Sequence, residues 1–257
     1  MGVLTLVVGH TGDGKSVVIK HFAKAAALAG LGALVYFVED PEKRTADRFL
    51  AEETGVAASD LGRLEVDPHE VDQLKQAAGA ADWADRIAVR FGTVSAEEVL
   101  QDVAATKRVG GSPLGLVAVD YAQAIASEGS MEETCASTAR ALNELAGARN
   151  VATVFGSQVV TEVLRRGRAR WEREPGDVSG FLPSLGDAMW SRRLEQYAKA
   201  ELVAFRPGRW KRELGQDARD DTLELHVPKA NFGPSGWVSL GWDGPRARVF
   251  SRKVSKK

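Results

Sequence analysis

One cysteine, Cys135, stands in 257 residues. That excludes an internal disulfide framework and any cysteine-built zinc site, and it predicts a buried, inert thiol. Histidine is nearly as scarce: His10, His21, His69 and His226 are the full set, and their spacing fits no metal-ligand pattern. No apolar run approaches the length of a membrane span, and no charged segment precedes the short apolar start. Neither an anchor nor a secretion signal is expected, and the cytoplasm is the expected location. Charge of one sign is missing too, since 34 basic and 35 acidic residues leave a net charge of −1. A nucleic-acid surface would therefore have to be a local patch. At this length one large domain is expected rather than two, here residues 1–250 followed by a basic tail over 251–257.

The chain is rich in glycine where it matters. The apolar run Val3-Leu4-Thr5-Leu6-Val7-Val8 leads directly into Gly9-His10-Thr11-Gly12-Asp13-Gly14-Lys15-Ser16, and a helical pattern beginning at Val17 follows. This is a P-loop between a strand and a helix. Its glycines let backbone N–H groups turn inward around phosphate oxygens, and the helix N-terminus adds partial positive charge. Gly9, Gly12, Gly14, Lys15, Ser16 and Val17 are the residues expected to hold the nucleotide. Lys15 would reach the β- and γ-phosphates, and Ser16 would ligate Mg²⁺.

Beyond the loop, short apolar strands alternate with amphipathic helices, the mark of an α/β protein with a parallel sheet. Ala33 to Val38 reads as the second strand and ends on the carboxylate pair Glu39-Asp40. Pro41 suits the first turn of a helix that Gly55 stops. From Gly55 to Asp85 the pattern is weaker, with a helix around His69 to Ala81. Arg86 to Phe91 reads as a strand, and Ser95-Ala96-Glu97-Glu98 carries a capping box. Leu116-Val117-Ala118-Val119-Asp120 has the form of a Walker B strand, with Asp120 placed to hold Mg²⁺ beside Ser16; an ordinary buried strand with a loop aspartate is the alternative. A helix over Glu132 to Arg149 precedes the strand Val151 to Gly156, with Ser157-Gln158 at its tip. Ligands of open α/β sheets gather at the carboxyl ends of strands, so Glu39, Asp120 and Gln158 should converge beside the P-loop. From Glu201 onward the pattern is strands and hairpins, with Trp237 and Trp242 read as packing residues.

In this order the motifs resemble the DnaB-type replicative helicases, RecA-like hexameric ATPases. Tyr36-Phe37-Val38-Glu39 resembles that family's strand ending in a catalytic glutamate, and Arg48 to Val56 resembles the helix after it. Val119-Asp120-Tyr121-Ala122-Gln123 is close to its aspartate, tyrosine and glutamine signature, and Val151 to Gln158 to its strand ending in Ser-Gln. Lys229 to Gly236 resembles its C-terminal element. The resemblance implies a RecA-like P-loop NTPase core, a mostly parallel sheet flanked by helices with C-terminal antiparallel strands. It also implies ATP and Mg²⁺ as cofactors, with Glu39 as the base or water-orienting group, Gln158 bonding the γ-phosphate, and Lys229 reaching a neighbouring subunit's nucleotide. The implied partners are single-stranded DNA, further copies of the chain in a hexameric ring or spiral, and a loader or primase.

Asp40 is the rival to Glu39 as base, although chain direction should turn it away and it could instead cap the helix. The segment after Gln158 is expected to be a loop that contacts DNA: Arg165, Arg166, Arg168, Arg170 and Arg173 surround Trp171, so phosphates and a stacked base are both served. A solvated basic loop, or one paired with Glu172, Glu174 and Asp177, is the alternative. A smaller loop at Ser127 to Ser130 is a second candidate. Asn231 stands where the family has an arginine, and Arg206, Arg209, Lys211 or Arg212 in a nearby hairpin are the candidates to replace its charge. The chain begins almost at the P-loop strand and is read as lacking the family's N-terminal domain and linker helix. A RecA-like recombination or repair ATPase, and a P-loop ATPase that ignores nucleic acid, are the competing readings.

Overall fold

The computed structural model describes residues 2–63, 65, 67–120, 130–189 and 191–252. In chain order the P-loop strand β1 (Leu4–Val8) is followed by α1 (Lys15–Leu28), β2 (Gly32–Phe37), α2 (Glu42–Thr54), α3 (Ala58–Arg63) and α4 (Pro68–Ala80). Next come β3 (Ile87–Phe91), α5 (Ala96–Ala105), β4 (Arg108–Val109), β5 (Ser112–Asp120), α6 (Met131–Arg149) and β6 (Ala152–Ser157). The last third holds α7 (Thr161–Arg173), α8 (Ser191–Tyr197), β7 (Ala200–Phe205), α9 (Pro207–Glu213), β8 (Thr222–Ala230), β9 (Gly236–Asp243) and β10 (Arg248–Ser251).

These strands form one sheet in the order β10-β9-β8-β7-β1-β6-β5-β2-β3, with the short β4 folded back on β5. From β7 to β3 the strands run parallel, and β8, β9 and β10 add antiparallel pairs at one edge. The near-continuous apolar runs of β1, β2 and β5 reflect burial on both faces. Side chains divide by strand alternation. Leu4, Leu6, Leu34, Tyr36, Val117 and Phe155 meet residues of α5, α6 and α8 on one face. Val7, Val35, Ala118 and Val154 meet Val17, Val18, Ile19 and Ala23 of α1 on the other, together with Leu223, Trp242 and Val249 from the antiparallel edge. The P-loop helix is thus clamped between the parallel core and the C-terminal strands. Each fully buried large side chain contributes about 1.5–3 kcal/mol.

Local signals read from sequence hold at several ends. Gly55 closes α2 in the left-handed region at φ 78°, and Ser95 and Glu98 exchange both capping bonds, 3.2 and 2.7 Å long. Cys135 is fully buried, and burial pushes its thiol up to about 11. Two expectations are corrected. The arginine-rich segment after Gln158 is a helix, α7, because Val163 and Gly167 lie on its inner face and Phe181 packs against Gly167. The segment carrying Arg206 to Arg212 is also helical, with Pro207 starting α9 and Trp210 buried under it. Trp242 is buried as expected, whereas Trp237 is 62% exposed and lies over the His226 ring at 5.7 Å. Arg252 is paired with Asp221 at 2.9 Å. Tyr121 to Gln123, the Ser127 to Gly129 part of the smaller loop, and Lys253, Lys256 and Lys257 lie outside the described residues. Among the described residues, no helix is long and apolar enough to cross a membrane.

Candidate active site

β1 lies inside the parallel block between β6 and β7, so its carboxyl end opens onto the top of the sheet. There the chain turns through Gly12 and Gly14 at φ 85° and 95°. Those values suit glycine, which has no Cβ to clash in the left-handed region. α1 then starts at Lys15. The Lys15 ammonium donates to the carbonyls of Gly9 and His10 at 2.8 and 3.0 Å. Burial lowers its pKa, while Asp120, Asp13 and Glu39 act in the opposite direction in that order. A cleft of about 510 Å³ follows the loop, lined by Thr11, Gly12, Gly14, Lys15, Ser16 and Val17 on one side and by Glu39, Asp40, Asp120 and Gln158 on the other. The expected convergence of strand ends is therefore present.

The carboxylates are not equivalent. Asp120 ends β5 beside Phe37 of β2, is 5% exposed, and lines the cleft together with Ser16. Burial raises its pKa to about 6, opposed by the Ser16 hydroxyl and by Lys15. Glu39 is exposed at the rim of the cleft. Asp40 is tied up: the Arg48 guanidinium donates to one oxygen, and Arg44 lies 3.7 Å from the other. It does not cap α2, since Pro41 holds that position and no side-chain cap bond forms. Asp40 lines the cleft without being turned away, and it is the ion pair that sets it apart from Glu39.

Two of the P-loop positions to which sequence reasoning gave no role, His10 and Asp13, find their partners outside the loop. Asp13 is fully buried and accepts from Arg209 Nη1 at 2.7 Å and Trp210 Nε1 at 3.3 Å. Burial still raises its pKa to about 6. His10 Nε2 donates to the Phe181 carbonyl at 2.9 Å, and the imidazole meets Trp210 edge-on at 4.7 Å. Burial drives its pKa down to about 4, so it stays neutral. Trp210 stacks on Phe181 at 4.4 Å, and a second cavity of about 440 Å³ opens between these rings, the P-loop and α7. Arg206 donates to the Gly12 carbonyl at 2.5 Å, pairs with Asp220 and lies 4.3 Å over the Trp242 ring. Of the proposed replacement cations, Arg206 alone lines the cleft beside Lys15, while Arg209 is spent on Asp13 and Glu213, and Arg212 on Asp220. The sequence signal for this cluster was Pro207 followed by Trp210, a helix start with an anchor.

On α7 the arginines divide by face. Arg166 donates to the Gly180 and Leu182 carbonyls and pairs with Asp187 at 2.8 Å. Arg170 pairs with Asp177 at 2.5 Å, and Trp171 packs into the Val178-Phe181-Phe205-Trp210 cluster. Arg165 and Arg168 are exposed, the former 2.5 Å from Glu162 and the latter at the mouth of the second cavity. Lys229 lies on β8 in register with Glu201 and donates to the Glu195 carbonyl, away from the cleft of its own chain. Glu201 is fully buried with neither carboxylate oxygen hydrogen-bonded, and burial raises it to about 8.

No protein of curated function matches the chain. Its fold is similar to a solved structure described as an ATPase domain, with a TM-score of 0.82 and 19% identity over 98% of this chain and 85% of that one. It is equally similar, at TM-score 0.82 and 19% identity over 98% of this chain, to a DnaB-like replicative helicase solved for its interactions with primase, of which it spans 57%. Both support the RecA-like architecture. The family model for the DnaB-like helicase C-terminal domain matches residues 1–251. The match covers nearly the whole chain, and the chain belongs to the DnaB-like helicase C-terminal domain family, a family of ATP-dependent DNA helicases.

Proposed function

We propose that this chain hydrolyses ATP at the cleft beside Lys15 and uses the cycle to move along single-stranded DNA in replication. The observation that carries this reading is the placing of Glu39, Asp120 and Gln158 around the P-loop in one cleft. Phosphoryl transfer asks little covalent chemistry of the protein, so positioning and charge neutralisation set the rate. Glu39 is the exposed carboxylate at the rim, without an ion pair among the described residues, and orients the attacking water. Lys15 exchanges its two loop carbonyls for phosphate oxygens. Gln158 bonds the γ-phosphate and releases it after hydrolysis, and its loop leads directly into α7.

The Ser16 hydroxyl and the Asp120 carboxylate line the same cleft, and two hard oxygen donors of this kind fit Mg²⁺. Ser16 would ligate the ion and Asp120 would hold it through water or Ser16. Bound there, Mg²⁺ supplies charge neutralisation to the β- and γ-phosphates.

In this reading Lys229 serves a neighbouring copy, which fits its distance from its own cleft, and the working form is a hexameric ring or spiral in the cytoplasm. Arg165, Arg168 and Arg173 are the exposed α7 cations available to grip phosphates; Arg166, Arg170 and Trp171 set the helix in place. A primase or loader is the expected protein partner, since a structural neighbour was solved for its interactions with primase.

ATP turnover measured with and without single-stranded DNA, followed by unwinding of a forked duplex, tests the proposal. Stimulated turnover with unwinding is expected. Stimulation without unwinding would favour a recombination-type ATPase, and no binding of DNA at low salt would overturn the DNA reading altogether.

A further inference from the structure

Four cationic side chains line the nucleotide cleft among the described residues: Lys15, Arg44, Arg48 and Arg206. Three are held. Lys15 is bound to the P-loop carbonyls. Arg48 donates to Asp40, and Arg206 is fixed between the Gly12 carbonyl, Asp220 and the Trp242 face. Arg44 differs in kind. It stands on the first turn of α2, directly after the Glu39-Asp40 pair, with a side chain 67% exposed and a single loose partner, Asp40 at 3.7 Å. That carboxylate is already neutralised by Arg48.

The acidic wall of the cleft is Glu39, Asp40 and Asp120. Negative charge that develops on a transferring phosphoryl group beside this wall needs a cation brought in from the same side, and an arginine supplied in cis or in trans is a known solution. The planar guanidinium suits it, since two N–H groups can meet two phosphate oxygens. We propose that Arg44 is a cis-acting catalytic residue: it leaves Asp40 and donates to the γ-phosphate, stabilising charge in the transition state and distinguishing ATP from ADP. The inference rests on the ATPase reading of this cleft. Its geometry follows from the order of the chain, because the strand that delivers Glu39 runs into the helix turn that delivers Arg44. The water-orienting carboxylate and the charge-stabilising guanidinium are thereby set on one short segment.

The test compares wild type, Arg44→Ala and Arg44→Lys for steady-state ATP turnover and for binding of ADP and of ATPγS. For Arg44→Ala, kcat is expected to fall at least about 100-fold. ADP affinity should stay near wild type while the preference for ATPγS over ADP is lost. Arg44→Lys should recover part of the rate, since a point charge remains. Turnover of Arg44→Ala within a few-fold of wild type would overturn the assignment, and so would an equal loss of ADP and ATPγS binding, which would mark a structural role. A wild-type chain that binds nucleotide without turning it over would instead overturn the ATPase reading, and this inference with it.

Discussion

Arg209 and Asp13 meet across the back of the P-loop, Nη1 to Oδ1 at 2.7 Å, with Asp13 fully buried. A carboxylate inside a phosphate-binding loop works against the loop's purpose unless its charge is answered, and Arg209 and Trp210 answer it. Removing Arg209 leaves Asp13 to choose between an unpaired buried charge and a proton.

Arg209→Ala is therefore expected to weaken nucleotide binding in a pH-dependent way. The Asp13 pKa is already raised to about 6 and rises further once its partner is gone. At pH 5.5 the variant should bind ADP nearly as wild type, because Asp13 is neutral; at pH 8 affinity should fall about 10-fold, equivalent to about 1.4 kcal/mol. Adding Asp13→Asn should restore binding at pH 8. Calorimetric titration at both pH values decides it, and a loss of the same size at each would show that Asp13 charge is not the cause.

Glu39→Gln should bind ATP with wild-type affinity and lose turnover by about 100-fold or more. Asp40→Asn should retain measurable turnover, because its carboxylate is committed to Arg48. Rates under single-turnover conditions separate the two, and a dead Asp40→Asn beside an active Glu39→Gln would reverse the roles.

On α7, Arg165→Ala and Arg168→Ala should lower affinity for single-stranded DNA and flatten its salt dependence by about one counterion each. Arg166→Ala should chiefly lower thermal stability, since it breaks bonds to the Gly180 and Leu182 carbonyls and to Asp187. Binding isotherms across a salt series together with melting curves test this split. An unchanged salt slope in the first pair would remove the helix from the DNA-contacting surface.

Glu201 gives the fold its own pH dependence. Its carboxyl is raised from 4.5 to about 8 by burial, with Glu195 and Asp187 adding to the rise and Lys229 opposing it. Between those values the folded state holds a proton that the unfolded state releases. Stability from this group is thus fully present below about pH 4.5 and lost as pH rises through 8. Glu201→Gln, which keeps the shape without the charge, should match wild type near pH 5 and gain about 2–4 °C or more in Tm over it at pH 9, for each ~1 kcal/mol of penalty removed. A gap that does not change with pH would mean that Glu201 does not ionise in this range.

The parts of this molecule that could be read from sequence are those whose partners are neighbours along the chain. The strand, loop and helix around Gly9 to Ser16 declare themselves locally, as do the Ser95–Glu98 capping box and the glycine stop at Gly55. Membership of one cleft was legible as well, because strand ends in a parallel sheet share a side whatever their order. Helix α7 was hidden by its composition: the stripe Val163, Gly167 and Trp171 is there at helical spacing, but glycine at its centre and arginine around it disguise it. His10 and Asp13 find their partners at Phe181, Arg209 and Trp210, far along the chain. No local pattern signals pairings made only when α9 folds against the back of the loop.

Gly167 sets how closely α7 can approach Phe181. A Cβ at that position would come within 2.3 Å of the Phe181 ring, so the ring can press on the α7 backbone only because glycine is there. The Phe181 carbonyl in turn is hooked by His10, inside the phosphate-binding loop. Loop and helix are thus joined through one residue, Phe181, whose carbonyl is held by the loop and whose ring lies against the α7 backbone, so a side chain at position 167 would part the two at their shared contact.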